Sequence, residues 1–137
     1  MKRVYTFVCA DLFHVGHLMA IQDARKMGDY LIVGVLTDEA MMEYKRKPVI
    51  SFKDRAEIVS NIRGVDEVVP QYHRDPTETL KQVKPDIVCH GDDWGENFAG
   101  AEYMRSIGKE ARTFPYHVNA RTTTDIINEI KRRNDIP

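Results

Sequence analysis

The sequence predicts an α/β fold built on a five-stranded parallel sheet flanked by helices. Two patterns carry this expectation. Short runs rich in β-branched and aromatic residues alternate with segments of ten or so residues whose apolar side chains recur at helical spacing, as in βαβ units. One run, Tyr30 to Leu36, is apolar throughout, as in a strand buried on both faces. Size agrees: 137 residues, 42% apolar and 30% charged, make about one domain and bury roughly 68% of the unfolded surface.

Arg3 to Cys9 (RVYTFVC) opens the chain as a strand. His17 to Met27 follows as a helix, with Leu18, Ile21, Ala24 and Arg25 at its spacing and Gly28 at its stop. Tyr30 to Leu36 is the second strand. Ser51 precedes a helix to about Ile62, and Asp54 three residues on resembles a capping box. Glu67 to Val69 is a short strand, and Asp75-Pro76 opens the next helix with Pro at its first position. Asp86 to Cys89 is a strand, Ala101 to Ile107 a helix stopped by Gly108, and Ala111 to Phe114 the fifth strand. Thr122 to Arg133 closes as an amphipathic helix with Ile126, Ile127 and Ile130 on its buried side. No stretch rich in Gly, Ser or Pro divides the chain and no repeat is visible. Residues 1–137 therefore read as a single Rossmann-like, doubly wound domain. Cys9 and Cys89 both end predicted strands and read as neighbouring small hydrophobes rather than redox centres.

Composition excludes several functions. Twenty Lys+Arg against 21 Asp+Glu leave a net charge of −1. That balance argues against a dedicated nucleic-acid-binding domain and against a polybasic membrane anchor. No apolar run approaches the ~18 residues of a membrane span. Met1-Lys2-Arg3-Val4 enters the first strand with no small-residue cleavage site, so no signal peptide is expected. Two cysteines outside any C-x-x-C pair make no disulfide framework. A cytoplasmic location is the expectation.

In doubly wound sheets, ligands bind beyond the carboxyl ends of the strands at the topological switch point. The loops to inspect are those from Cys9 to His17, Thr37 to Ser51, His90 to Gly95 and Tyr116 to Thr124. The first contains His14-Val15-Gly16-His17. Two histidines at a helix start can face one ligand, and Gly16 lets a phosphate approach the backbone. Free N–H groups and the helix dipole favour an anion there, and imidazoles add donors for charge developing on a phosphoryl group. A two-histidine metal site is disfavoured, because no Cys or third His lies nearby in sequence. Lys45-Arg46-Lys47 forms a basic run, and Arg121 precedes Thr122, Thr123 and Thr124 at the start of the last helix. There hydroxyls, N–H groups and dipole converge.

His14-Val15-Gly16-His17 after a first strand matches the HxGH signature of the nucleotidyltransferase superfamily. Gly28-Asp29-Tyr30-Leu31, Thr37-Asp38-Glu39, Val65-Asp66-Glu67-Val68-Val69-Pro70 and Gly91-Asp92-Asp93-Trp94 extend the match along nearly the whole chain. The sequence resembles the cytidylyltransferases of the glycerol-3-phosphate type. The resemblance implies attack by a small phosphate or phosphonate acceptor on the α-phosphate of CTP, releasing pyrophosphate with no covalent intermediate. His14 and His17 would stabilise the transition state, and Lys45 would reach the reacting phosphates. The nucleotide would be held by Cys9, Ala10, Asp11, Gly16, Arg63, Gly91, Asp93, Arg121, Thr122, Thr123 and Thr124. The acceptor would meet Lys47, Arg55, Trp94 and His117. Mg²⁺ would bridge phosphate oxygens, with Asp11 the nearest carboxylate, and a homodimer is implied.

The chain departs from the family pattern in three places. Val8-Cys9-Ala10-Asp11 stands for G-T-F-D, and His117 to Arg121 replaces the R-T-x-G portion of the last signature. Tyr44 stands where the glycerol-3-phosphate enzymes often carry lysine. These bear on the acceptor more than on the reaction. The alternatives are an ATP-using adenylyltransferase, of the FAD-synthesis or heptose-nucleotide kind, and a nucleotide-binding module without turnover.

Overall fold

The computed structural model describes residues 1–116 and 121–137. Strands β1 (Arg3–Val8), β2 (Tyr30–Leu36), β3 (Glu67–Gln71), β4 (Ile87–Gly91) and β5 (Glu110–Phe114) form one sheet in the order β3-β2-β1-β4-β5. Every pairing is parallel. The helices are α1 (Val15–Arg25), α2 (Asp38–Met42), α3 (Phe52–Ser60), α4 (Thr77–Val83), α5 (Ala101–Ser106) and α6 (Thr123–Arg132), and a single 3₁₀ turn spans Asp92–Trp94. After β3 the chain crosses back over β1 to lay down β4. The switch point therefore lies between β1 and β4, where a crevice opens at their carboxyl ends.

Alternation along the strands divides the core into two layers. Val4, Leu31, Val33, Val35, Ile87 and Cys89 pack against Ile21 and Ala24 of α1 and Val59 of α3. Tyr5, Phe7, Ile32, Leu36 and Val88 pack against Ala40 of α2, Leu80 of α4, and Ala101 and Met104 of α5. β2 takes part in both layers, which is why its sequence is apolar without alternation. Each fully buried aliphatic side chain contributes about 1.5–3 kcal/mol.

Several expectations are corrected. α1 starts at Val15, two residues before the predicted start, because His14 itself is the N-cap. Thr37 caps α2 through its hydroxyl, so part of the expected loop after β2 is helical. Ser51 begins α3 without a side-chain cap, so the capping box with Asp54 does not form. α6 buries none of its residues fully, and Ile130 is exposed. Cys9 packs with the second layer and Cys89 with the first, so the two thiols lie on opposite faces of the sheet. Burial pushes the Cys89 thiol up to about 12.

Arg55, expected at the acceptor, is instead wholly buried. Its guanidinium donates to the carbonyls of Cys9 and Leu36, at 2.5 and 2.8 Å, and to Asp38 Oδ1 at 2.7 Å. Its Nε donates to the Ile50 carbonyl at 2.9 Å. These bonds join the ends of β1 and β2 to α2 and to the segment before α3, leaving the side chain no face for a substrate. Truncation would strand three carbonyls and one carboxylate in or near the core. Arg55→Ala is expected to lower unfolding stability by about 3 kcal/mol, read from urea denaturation; a change below about 1 kcal/mol would contradict this role.

Candidate active site

The crevice at the switch point holds a cavity of about 370 Å³. Its floor comes from the carboxyl ends of β1 and β4, through Thr6 to Cys9 and His90 and Gly91. α1 contributes His14, Gly16 and His17, the start of α6 contributes Arg121 to Thr124, and Lys45 and Tyr44 enter from the loop after α2. Two helix N-termini thus open on one cavity, a field that favours an anion.

The histidines are fixed by an unusual cap. His14 Nδ1 accepts the Gly16 N–H at 3.0 Å, and His17 Nδ1 accepts the His14 N–H at 3.1 Å. An Nδ1 that accepts carries no proton, so each neutral ring carries its proton on Nε2. His14 Nε2 stands 3.1 Å from Thr123 Oγ1. The Thr123 hydroxyl in turn donates to the Asp11 carbonyl at 3.3 Å. The two ring centroids are 4.0 Å apart. Burial lowers the His14 pKa, opposed by the Asp125 carboxylate. Burial also takes His17 down to about 3, helped by the charges of His14 and Lys45. At neutral pH both rings are uncharged Nε2–H donors.

Gly16 is required by close approach. A Cβ there would lie 2.8 Å from His14 Cε1 and 3.2 Å from the Arg121 carbonyl. The turn before the histidines is strained: Ala10 and Leu12 have φ of 61° and 54° without being glycine. That left-handed geometry costs roughly 1–2 kcal/mol per residue, and it turns the Asp11 side chain inward. Asp11 accepts the N–H groups of Val49 and Ile50 at 2.9 Å each and Arg46 Nη1 at 2.6 Å. Burial opposes its ionisation, but these donors hold the carboxyl below the usual carboxylate range. Asp11 therefore does not fit a metal: both oxygens are committed to the loop that carries Lys45. Among the described residues no group of three His, Cys, Asp or Glu side chains is placed to hold a cation.

Of the residues singled out in the sequence, the cavity gathers His14, His17, Lys45, Cys9, Gly16, Gly91, Asp93, Trp94, Arg121, Thr122, Thr123 and Thr124. Ala10 and Asp11 lie beneath it as support. Lys47 and Arg63 are exposed and line no part of it. Arg55 is the buried clasp described above, and His117 lies outside the described residues. Asp92 accepts the Tyr116 N–H at 2.9 Å and so ties the end of β5 to the 3₁₀ turn. His90 was missed. It stacks on Trp94 at 4.1 Å and lies 5.1 Å from Phe7, forming an aromatic wall opposite in character to the phosphate-binding rim. A polar residue ending an otherwise buried strand was the available signal. Tyr44, whose hydroxyl meets Cys9 Sγ at 3.2 Å, completes this wall.

Comparison with known proteins places the chain in a family. The family model described as cytidylyltransferase-like matches residues 5–136. The chain belongs to the cytidylyltransferase-like family. Within this nucleotidyltransferase family, the bifunctional protein HldE of Campylobacter fetus is 37% identical over 131 residues, 93% of this chain and 28% of its own length. HldE of Pseudomonas aeruginosa is 35% identical over 135 residues, 96% of this chain and 28% of its own. The chain thus spans little more than a quarter of these relatives. A solved structure described as a lipopolysaccharide core biosynthesis protein from Thermoplasma volcanium superposes with a TM-score of 0.72 at 28% identity, covering 85% of this chain and 98% of that one. No helix among the described residues is long and apolar enough to cross a membrane.

Two expectations follow from the cap. Gly16→Ala should push the His14 ring aside and cut nucleotidyl transfer by about 10²-fold while the thermal midpoint is largely kept; unchanged turnover would show that the ring tolerates the methyl group. The second concerns acid. Below its ordinary value of 6.5 an unfolded His17 takes up a proton that the folded chain refuses down to about 3. Stability is then lost as pH falls from about 6.5 towards 3. Urea midpoints at pH 7 and pH 4.5 should converge in His17→Gln relative to wild type.

Proposed function

We propose that this chain transfers AMP from ATP to the phosphate of a phosphorylated sugar of the heptose class, releasing pyrophosphate. The observation that carries the transfer reading is the meeting of two neutral Nε2–H imidazoles with Lys45 and the start of α6 in a switch-point cavity. The choice of ATP and a sugar phosphate rests on the relatives. The relatives are bifunctional HldE proteins, and the similar solved structure is described as a lipopolysaccharide core biosynthesis protein, which supports the heptose-nucleotide alternative over CTP and glycerol 3-phosphate.

The reaction follows from the donors. An acceptor phosphate oxygen attacks the α-phosphorus, and the bond from that phosphorus to the bridging oxygen breaks as pyrophosphate departs. The acceptor is already an anion at neutral pH, since the second pKa of a phosphate ester is about 6. No general base is needed, and the histidines can serve as pure donors. They face charge that develops on the α-phosphoryl oxygens, where positioned donors act most strongly. Lys45 and Arg121, with the dipole and hydroxyls of α6, hold the phosphates that leave. Mg²⁺, where bound, would offset phosphate charge, and Asp11, committed to Arg46, Val49 and Ile50, would not be among its ligands.

Pyrophosphate release should be measured with Mg²⁺, crossing ATP and CTP with heptose 1-phosphate, hexose 1-phosphate and glycerol 3-phosphate. Release is expected with ATP and the sugar 1-phosphates. Release confined to CTP and glycerol 3-phosphate would return the chain to cytidylyl transfer. His14→Ala and His17→Ala should each lower kcat by ~10²–10³, and Lys45→Ala should raise the nucleotide KM or lower kcat.

A further inference from the structure

Three loops from three strands meet at the aromatic wall. Tyr44 follows β2 and α2, Arg74 follows β3, and Trp94 follows β4. The Arg74 guanidinium carbon lies 4.5 Å from the Tyr44 ring centroid and 4.7 Å from that of Trp94. Trp94 itself stacks on His90, and Tyr44 and Trp94 meet edge-on at 6.2 Å. The backbone beneath Arg74 is also held. Its N–H donates to Glu43 Oε1 at 2.7 Å, and His73 Nδ1 stands 2.8 Å from Glu43 Oε2.

Position is fixed, yet the hydrogen-bonding capacity is unspent. Among the described residues, the Arg74 guanidinium makes no hydrogen bond and no ion pair. Arg74 is exposed and is not itself part of the cavity lining; its planar fork of donors lies on Tyr44 and Trp94, which are. Arginine in this setting suits a phosphate better than lysine does, because it bonds two oxygens at once. Lys45 Nζ lies 5.3 Å from the same Tyr44 ring, so two cations bracket this part of the wall. The phosphates of the nucleotide have their own donors at α1 and α6. A second anionic group that reaches the Tyr44 and Trp94 side of the cavity would be met here.

We propose that Arg74 is an acceptor-binding residue: its guanidinium, held on Tyr44 and Trp94, takes non-reacting oxygens of the acceptor's phosphate and presents a third to the nucleotide. The proposal rests on the transfer reading above, and it fills the place for which the sequence suggested Arg55 and Lys47. Tyr44 and Trp94, the rings that hold it, line the cavity where the acceptor's carbon skeleton would lie.

The test separates this role from a merely structural one. In steady-state kinetics with ATP and hexose or heptose 1-phosphate, Arg74→Ala should raise the acceptor KM at least tenfold. The ATP KM should stay within twofold, and Arg74→Lys should recover part of the loss. An unchanged acceptor KM, or equal losses for both substrates, would overturn the proposal. A second measurement is independent of turnover: calorimetric titration of hexose 1-phosphate into the wild type and Arg74→Ala. Binding by the wild type that is lost in the variant supports the subsite, even where no pyrophosphate release is found and the transfer reading fails. Equal binding by both, or none by the wild type, overturns it.

Discussion

A guanidinium sealed from water must find acceptors for its donors inside the protein, and Arg55 finds them only where the carboxyl ends of β1 and β2 converge. Its bonds to the carbonyls of Cys9 and Leu36 hold together the strand ends from which loops lining the cavity depart. Its remaining partners, Asp38 and the Ile50 carbonyl, draw α2 and the segment before α3 to the same point. Asp11 acts from the other side. Ile50 gives its carbonyl to Arg55 and its N–H to Asp11, so one residue is pinned between opposite charges. The histidine loop and the lysine loop are thereby set against each other before any ligand arrives.

On this frame the two histidine rings are oriented by backbone capping. Each histidine spends Nδ1 on a backbone N–H; the Nε2 of His14 meets the Thr123 hydroxyl, and among the described residues that of His17 has no partner. Protonating either ring would set N–H against N–H, so geometry and burial push in the same direction. Burial favours the neutral ring in both, most strongly in His17. The same cap leaves Thr123 as the physical link between the starts of α1 and α6, the two sources of positive potential.

Much of this was legible in the sequence. The strands were marked by apolar runs, and their parallel order followed from the intervening helices. His14, Gly16 and His17 could be placed together at the cavity because spacing and helix start are local properties. What escaped was non-local. Arg55 lies 46 residues from Cys9, and Asp11 lies 39 from Ile50. Nothing in the neighbourhood of either residue marks it as buried. The resemblance put Arg55 at the acceptor and Asp11 at the nucleotide and its Mg²⁺, and the structure makes both buried clasps. Arg74 was passed over because its meaning depends on two rings from other loops. α6 misled in the opposite sense: its isoleucines have helical periodicity, but the structure covers only part of their face.

Trp94 is the chain's one tryptophan. Its indole stacks on an imidazole and lies under a guanidinium, in the wall of the cavity itself. All indole emission from this protein therefore originates beside the site, with no background from elsewhere in the fold. The molecule carries its own optical label, read without any dye or substituted residue.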